Sequence, residues 1–298
     1  MITRSASAAI PAPRTIAPAR VEARERDWKR TSAKFLLYLI LLVGGLGMIF
    51  PFVWMAVSSI KHAQDIYSLS LIPPSPTLDN YREVLEETKF ARWFANSLII
   101  ATITTASVAF FDSLAGYTLA KFNFPGRQLI FIAILSTLMV PTEMLVIPWY
   151  VMSTNYGWVN TYWGILFPGL IPAFGVFLMR QFFQALPREL FDAGRVDGVS
   201  EFGLFWRIGL PQVRSGMAAL GIFAFIGNWN AFLWPLIVAK SPDMRTIPVG
   251  VALFSGEAGT AWNLIMAASA MAILPVLIVF FIFQKQIIEG VVLTGVKG

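Results

Sequence analysis

The chain has 298 residues, 56% hydrophobic and 13% charged, with a mean hydropathy of +0.65. A soluble domain is about a quarter charged, so a single water-soluble core is excluded and a membrane protein is expected. With no cysteine and one histidine, His62 beside Lys61, thiolate chemistry and a metal centre are excluded as expectations, and the net charge of +6 reads as membrane orientation rather than nucleic-acid binding.

Residues 1–34 are rich in Ala, Pro and Arg without a helical period and are expected to form a disordered, basic tail. The apolar run that starts near Phe35 is too long for a signal-peptide core. Six apolar runs follow, near 35–60, 94–120, 127–152, 160–184, 213–238 and 262–285. At about 1.5 Å per residue each reaches roughly 36–40 Å, enough to cross a bilayer with tilt. In lipid, backbone groups must bond within their own segment, so these spans are predicted to be helices. Residues 35–298 thus read as one all-α, polytopic membrane domain of six helices.

Lysine and arginine orient it. The tail, the connection holding Lys121 and Arg127, the segment from Arg180 to Arg214, and Lys285 with Lys297 carry 17 of the 23. The other 6 are Lys61, Arg82, Lys89, Arg92, Lys240 and Arg245. Both termini are therefore expected on the cytoplasmic side. The connection 61–93 is the largest outer loop, with a short helix expected from Asn80 to Lys89.

Asp112 and Glu143 are the carboxylates within predicted spans, and ionisable groups at that depth face a cavity or a partner. They are candidates for a solute or proton path, or structural acids. Asn228, Trp229, Asn230 and Trp234 in the fifth run combine amides and aromatic faces, which suits a sugar but equally suits helix packing. Ala267, Ala268, Ala270 and Ala272 read as close-packing positions, and Pro141, Pro148, Pro168, Pro172, Pro235 and Pro275 as breaks or kinks.

Residues 187–211, between the fourth and fifth runs, form a polar elbow with its own apolar surface. Pro187 opens a helix over 188–196, Gly198 suits a left-handed cap, and Ser200 caps a second helix to about Ile208. Gly209-Leu210-Pro211 is expected to end it. Phe191 and Phe205 are expected to project as apolar knobs beside Asp192, and a water-facing connector of this kind either docks on a partner or lies in the headgroups; its mixed charge favours docking.

Asp192-Ala193-Gly194-Arg195-Val196-Asp197-Gly198 with Ile208-Gly209-Leu210-Pro211 resembles the EAA loop of ABC-transporter permeases. Over residues 35–298 the chain resembles the smaller permease subunit of maltose-type carbohydrate importers. Further matching stretches are Pro73 to Tyr81, Phe124 to Arg127, Asn160 to Gly164, Arg180 to Phe183, Asn228-Trp229-Asn230 with Trp234-Pro235-Leu236, and Gly295 to Gly298. Asp192 departs from the usual Glu, Gly194 from the second Ala, and Ala231 from a frequent Asp.

The resemblance implies that the elbow is a coupling helix seated in a cleft of a cytosolic ATPase. Asp192 would pair with a basic group there, Gly198 would permit the turn, and Phe191, Val196 and Phe205 would fill the cleft. It implies a second permease, two ATPase copies and an extracytoplasmic sugar-binding protein as partners, in a bacterial inner membrane. ATP and magnesium would bind the ATPase, since no G-x-x-x-x-G-K-[ST] occurs in the chain. Rival readings are an importer for a glycerophosphodiester or polyamine, a proton-driven transporter using Asp112 or Glu143, and a membrane scaffold.

Overall fold

The computed structural model describes the backbone of residues 19–256 and 259–295 and the side chains of residues 33–256 and 259–285. The chain divides after Trp54 into two units. The first is formed by helix α1 (Ala19–Ser58), whose last residues belong to the second. Helical backbone therefore begins upstream of Phe35, where the apolar run starts, and reaches into the segment read as a tail. Residues 1–18 of that tail, and Val296 to Gly298 of the terminal match, lie outside the described residues. Phe35, Leu42, Met48 and Phe52 of α1 are exposed, as expected of a segment whose solvent is lipid or another chain.

The second unit is helical apart from a two-residue strand pair, β1 (Ser255–Gly256) with β2 (Gly259–Thr260), antiparallel with Ser255 opposite Thr260. Its helices are α2 (Asp79–Glu86), α3 (Phe90–Lys121), α4 (Arg127–Thr137), α5 (Thr142–Asn155), α6 (Tyr162–Gly169) and α7 (Ala173–Ala185). There follow α8 (Glu189–Val196), α9 (Glu201–Gln212), α10 (Arg214–Trp229), α11 (Leu233–Val238), α12 (Ile247–Ala252), α13 (Trp262–Ala272) and α14 (Leu274–Gly295). Among the described residues, three stretches are long and apolar enough to span alone: Ala33–Ser58, Phe90–Lys121 and Trp262–Lys285. The pairs α4/α5, α6/α7 and α9/α10 qualify only together, bent by 92°, 43° and 83°. Counting each pair as one span gives 6, compatible with the six runs read from the sequence.

The breaks within α4/α5 and α6/α7 and the one between α10 and α11 have a common cause. Pro141, Pro172 and Pro235 stand where helix resumes after a break. Each lacks an N–H, and its ring collides with the carbonyl four residues back. The fifth run, 213–238, accordingly stops as helix at Trp229 and restarts at Leu233. Freed groups are re-satisfied locally: Ser107 Oγ of α3 donates to the Leu170 carbonyl at 2.7 Å, between α6 and α7.

Helix α3 is the axis of the second unit. Where it meets α7 the backbones approach so closely that a methyl on Gly116 would lie 2.7 Å from the Arg180 nitrogen and 2.8 Å from Met179 Cβ. A methyl on Gly175 would collide with the Asp112 carboxylate. Small residues at such crossings let dispersion replace the hydrophobic drive that lipid cannot supply. Ala267 and Ala268 do the same work in α13, fully buried in one cluster with Phe225 and Trp229 of α10, while Ala270 and Ala272 are half-buried.

The span ends near residues 59–61, 89–96 and 241–263 are tied by polar side chains. Asn80 of α2 donates to the Ser59 and Lys61 carbonyls at 2.8 Å each, and accepts from Asn263 of α13. Asn96 of α3 donates to the carbonyls of Asp243 and Arg245, and Tyr162 donates to it. Lys89 adds an ion pair to Asp243 at 2.7 Å.

Gly116→Val is expected to cost about 1–3 kcal/mol through overpacking, read as a lower unfolding midpoint in detergent; an unchanged midpoint contradicts the α3–α7 contact. A second expectation concerns pH. The Asp243 carboxylate is held below its ordinary value, first by the hydrogen bond from Lys89. Its contribution is thus complete above the ordinary carboxylate range and disappears as the pH falls through the lowered value. Amide protection at residues 241 and 243–246, taken relative to the intrinsic exchange rate at each pH, should fall on acidification, and Asp243→Asn should remove that dependence.

Candidate functional site

The elbow folds as two helices joined by a closed turn. At the end of α8, Gly198 has φ +78°, its N–H reaches the Arg195 carbonyl, and the Val199 N–H reaches that of Gly194 at 2.9 Å. This paired bonding caps a helix through one left-handed residue, which glycine adopts without a Cβ penalty. Ser200 Oγ then accepts the Gly203 N–H and starts α9. The second helix does not stop near Ile208: a wide turn over Leu204–Gly209 carries it through Pro211 to Gln212. In that turn the Leu210 N–H bonds to the Phe205 carbonyl, five residues back. Widening there spares the clash a proline would bring to a regular helix.

The knobs point inward. Phe191 is 1% exposed and Phe205 0%, which corrects the expectation that they project. Both rings pack on Tyr117 of α3, at 5.7 and 5.4 Å, and Tyr117 also meets Phe183 of α7 at 5.4 Å. Lys121, the last residue of α3, donates to the Leu186 carbonyl at 2.7 Å and sits 4.7 Å from the Phe191 ring centre. Each buried ring contributes about 1.5–3 kcal/mol from area alone, so the elbow is fastened to the ends of two spans. Gly194 is buried where the elbow helices touch: a methyl there would lie 2.5 Å from Leu204 Cδ2. Leu210 is buried and Pro211 exposed.

What faces outward is a different apolar set. Val196 is 87% exposed, Phe202 57% and Trp206 54%, beside exposed Ala193, Asp197 and Gly198. Asp192, expected to offer its acid to a partner, is engaged by its own helix: Arg195 Nη1 donates to it at 2.7 Å. Arg195 Nε also donates to Glu201 at 2.7 Å, which bridges α8 to α9. These bonds, Glu201's first, raise the guanidinium above its ordinary value.

The residues proposed for a solute path are not brought together. Asp112 lies buried in a wide turn of α3 against Gly175, and neither carboxyl oxygen has a hydrogen-bond partner among the described residues. Trp229 is buried, stacked on Phe225 at 5.8 Å, and donates to the Ala272 carbonyl. Trp234 donates to the Gly164 carbonyl and packs edge-on to Trp149. Both tryptophans therefore work in packing. Asn228 is half-buried and bonds back to the Ala224 carbonyl; Asn230 is exposed at the end of α10. Glu143 is exposed in the break between α4 and α5.

Sequence reasoning missed Tyr117, Lys121 and Phe183 as parts of the elbow, and Arg195 as its internal bridge. Lys121 carried a usable signal, since a lysine in a helix's last turn commonly binds a free carbonyl. Tyr117 and Phe183 carried none, because they meet each other across 66 positions of the chain and Tyr117 meets Phe191 and Phe205 across 74 and 88.

Residues 112–291 match the family model described as "Binding-protein-dependent transport system inner membrane component". The chain belongs to that family. The permease is 34% identical to the arabinooligosaccharides transport system permease protein AraQ of Bacillus subtilis (strain 168), over 90% of this chain and 99% of that one. It is 34% identical to the lactose transport system permease protein LacG of Rhizobium radiobacter, over 88% and 96%. A solved bacterial ABC transporter involved in import of the acidic polysaccharide alginate shares the fold, with TM-score 0.77 at 20% identity over 86% of this chain and 97% of that one. The permease is thus a transport component of the inner membrane and not an enzyme.

Phe191→Ala should cost about 3–5 kcal/mol as a buried ring is lost, whereas Val196→Ala should stay within about 0.5 kcal/mol as a surface change. Unfolding midpoints of the two variants check this, and equal midpoints contradict the inward packing of Phe191.

Proposed function

We propose that this permease forms half of the sugar pathway of an ATP-driven importer and takes its work from a cytosolic ATPase through the elbow. The observation that carries the reading is the elbow's two-sided packing. One face, through Phe191 and Phe205, is set into the ends of α3 and α7. The other offers Val196, Phe202 and Trp206 to a partner. Force applied to the exposed face reaches the spans through buried aromatic contacts.

In this reading Val196 and Ala193 meet the ATPase, Asp192 and Asp197 supply its polar contacts, and Gly198 keeps the turn. Gly194, Phe191, Phe205 and Leu210 transmit from within, and Pro211 lies on the exposed side near the end of the second elbow helix. ATP and magnesium bind the ATPase, and this chain binds no cofactor. Partners are a second permease, two ATPase copies and an extracytoplasmic sugar-binding protein. The excess of Lys and Arg at both termini and in the elbow supports a cytoplasmic location for these segments.

The relatives named for arabinooligosaccharides and lactose support a di- or oligosaccharide as solute. Counted from the proposed cytoplasmic side, helices of 11, 13 and 16 residues precede the breaks in the third, fourth and fifth spans. They rise about 16, 20 and 24 Å, so the three breaks fall near mid-membrane, where broken helices line transporter sites. Glu143 and Asn230, both exposed at such breaks, are the strongest candidates to meet solute, with Asn228 beside them.

Val196→Asp should lower ATPase co-purification about tenfold or more, equivalent to about 1.4 kcal/mol, with the unfolding midpoint unchanged. Gly198→Asp should abolish ATP-driven uptake while membrane insertion persists. Full uptake by both variants, or solute accumulation by the chain alone in liposomes without nucleotide, would sink the reading.

A further inference from the structure

A cavity of about 680 Å³ opens between α10, α14 and the middle of α3. Arg214, the first residue of α10, and Lys285 of α14 line it. Its other walls include Gly221, Phe225, Val279 and Phe283. Neither cation has an acid partner among the described residues. Gly221 keeps the wall open: a methyl there would meet only Thr105 Cγ2, at an ordinary 3.6 Å. Two cations without an acid partner among the described residues, lining an otherwise largely apolar slot, match an amphiphile with an anionic head and a hydrocarbon tail.

Depth favours the same occupant. Arg214 directly follows the elbow, and Lys285 closes the apolar stretch Trp262–Lys285. On the orientation proposed above, both stand at the cytoplasmic headgroup level, while Phe225, three turns along α10, reaches into the hydrocarbon. Basic pockets between spans on this side are where anionic lipid heads bind. Arginine's planar fork suits a phosphate, and lysine adds a point charge.

We propose that this cavity is a site for an anionic glycerophospholipid, its phosphate held by Arg214 and Lys285 and one acyl chain lying along Gly221 and Phe225. The lipid would fill the space between α10 and α14 and stiffen the junction from which the elbow emerges.

The test uses the intact complex with its ATPases, purified in mild detergent and examined by native mass spectrometry for bound phosphatidylglycerol. Wild type should retain it. Arg214→Gln with Lys285→Gln should lower retention about tenfold or more, since one charge-assisted contact alone carries about that factor. Gly221→Phe, which fills the slot and keeps both charges, should do the same, with assembly of each complex verified by its mass. Equal retention in wild type and both variants overturns the proposal, as does absence of the lipid from wild type. So does quantitative crosslinking of Gly221→Cys to the second permease, which would make the cavity a subunit interface. Lipid retention reads the same whichever way the chain faces. Failure of the orientation would appear separately, as labelling of Val196→Cys from the outer side.

Discussion

The ring of Tyr117 is the contact on which the arrangement of this permease turns. It lies one turn from the end of α3, buried against Phe183 of α7 and against Phe191 and Phe205 of the elbow. Aromatic pairs in such geometry add about 0.5–1.5 kcal/mol beyond the area they bury. Four rings from four elements therefore move as one body. A connector lying loosely in the headgroups would have no such contacts, whereas the inner face of this one is part of the core at the ends of two spans.

That constraint explains the chemistry of the elbow's outer face. With Phe191 and Phe205 committed inward, an apolar contact must be built from Val196, Phe202 and Trp206. The Asp192–Arg195–Glu201 bridge then acts within the chain. As a surface ion pair it is worth little in stability, about 0.2–1 kcal/mol. Its geometric effect is larger, because it fixes the angle between α8 and α9 from the solvent side while Gly194 against Leu204 fixes it from within.

The stretches that carry the family resemblance have structural uses of their own. Asn80 and Tyr81 hold the span end near residues 59–61, Tyr81 through a 2.6 Å contact with Ser59 Oγ. Asn160, at φ 60°, accepts the Ser241 N–H, and Thr161 caps α6. Trp229 and Trp234 spend their ring N–H groups on carbonyls of other spans. From the sequence the tryptophans and amides of the fifth run suited a sugar and equally suited helix packing. In the fold, bonds to carbonyls of other spans assign the two tryptophans to packing, since polar groups within a membrane must be paired.

The sequence alone determined the all-helical membrane class, the apolar runs, the proline breaks and both caps of the elbow. Each of these follows from length, from the missing proline N–H, or from the φ that glycine permits, and needs no distant partner. Tertiary structure alone decided which face of the elbow is buried and that Asp112 is wedged against Gly175. It also decided that Tyr117, Lys121 and Phe183 pack against the elbow. The elbow helix α8 has apolar residues on two faces, Phe191 with Gly194 and Val196 with Ala193. Periodicity cannot rank two such faces; only the position of the aromatic cluster, assembled from residues far apart in the chain, selects the one that turns inward.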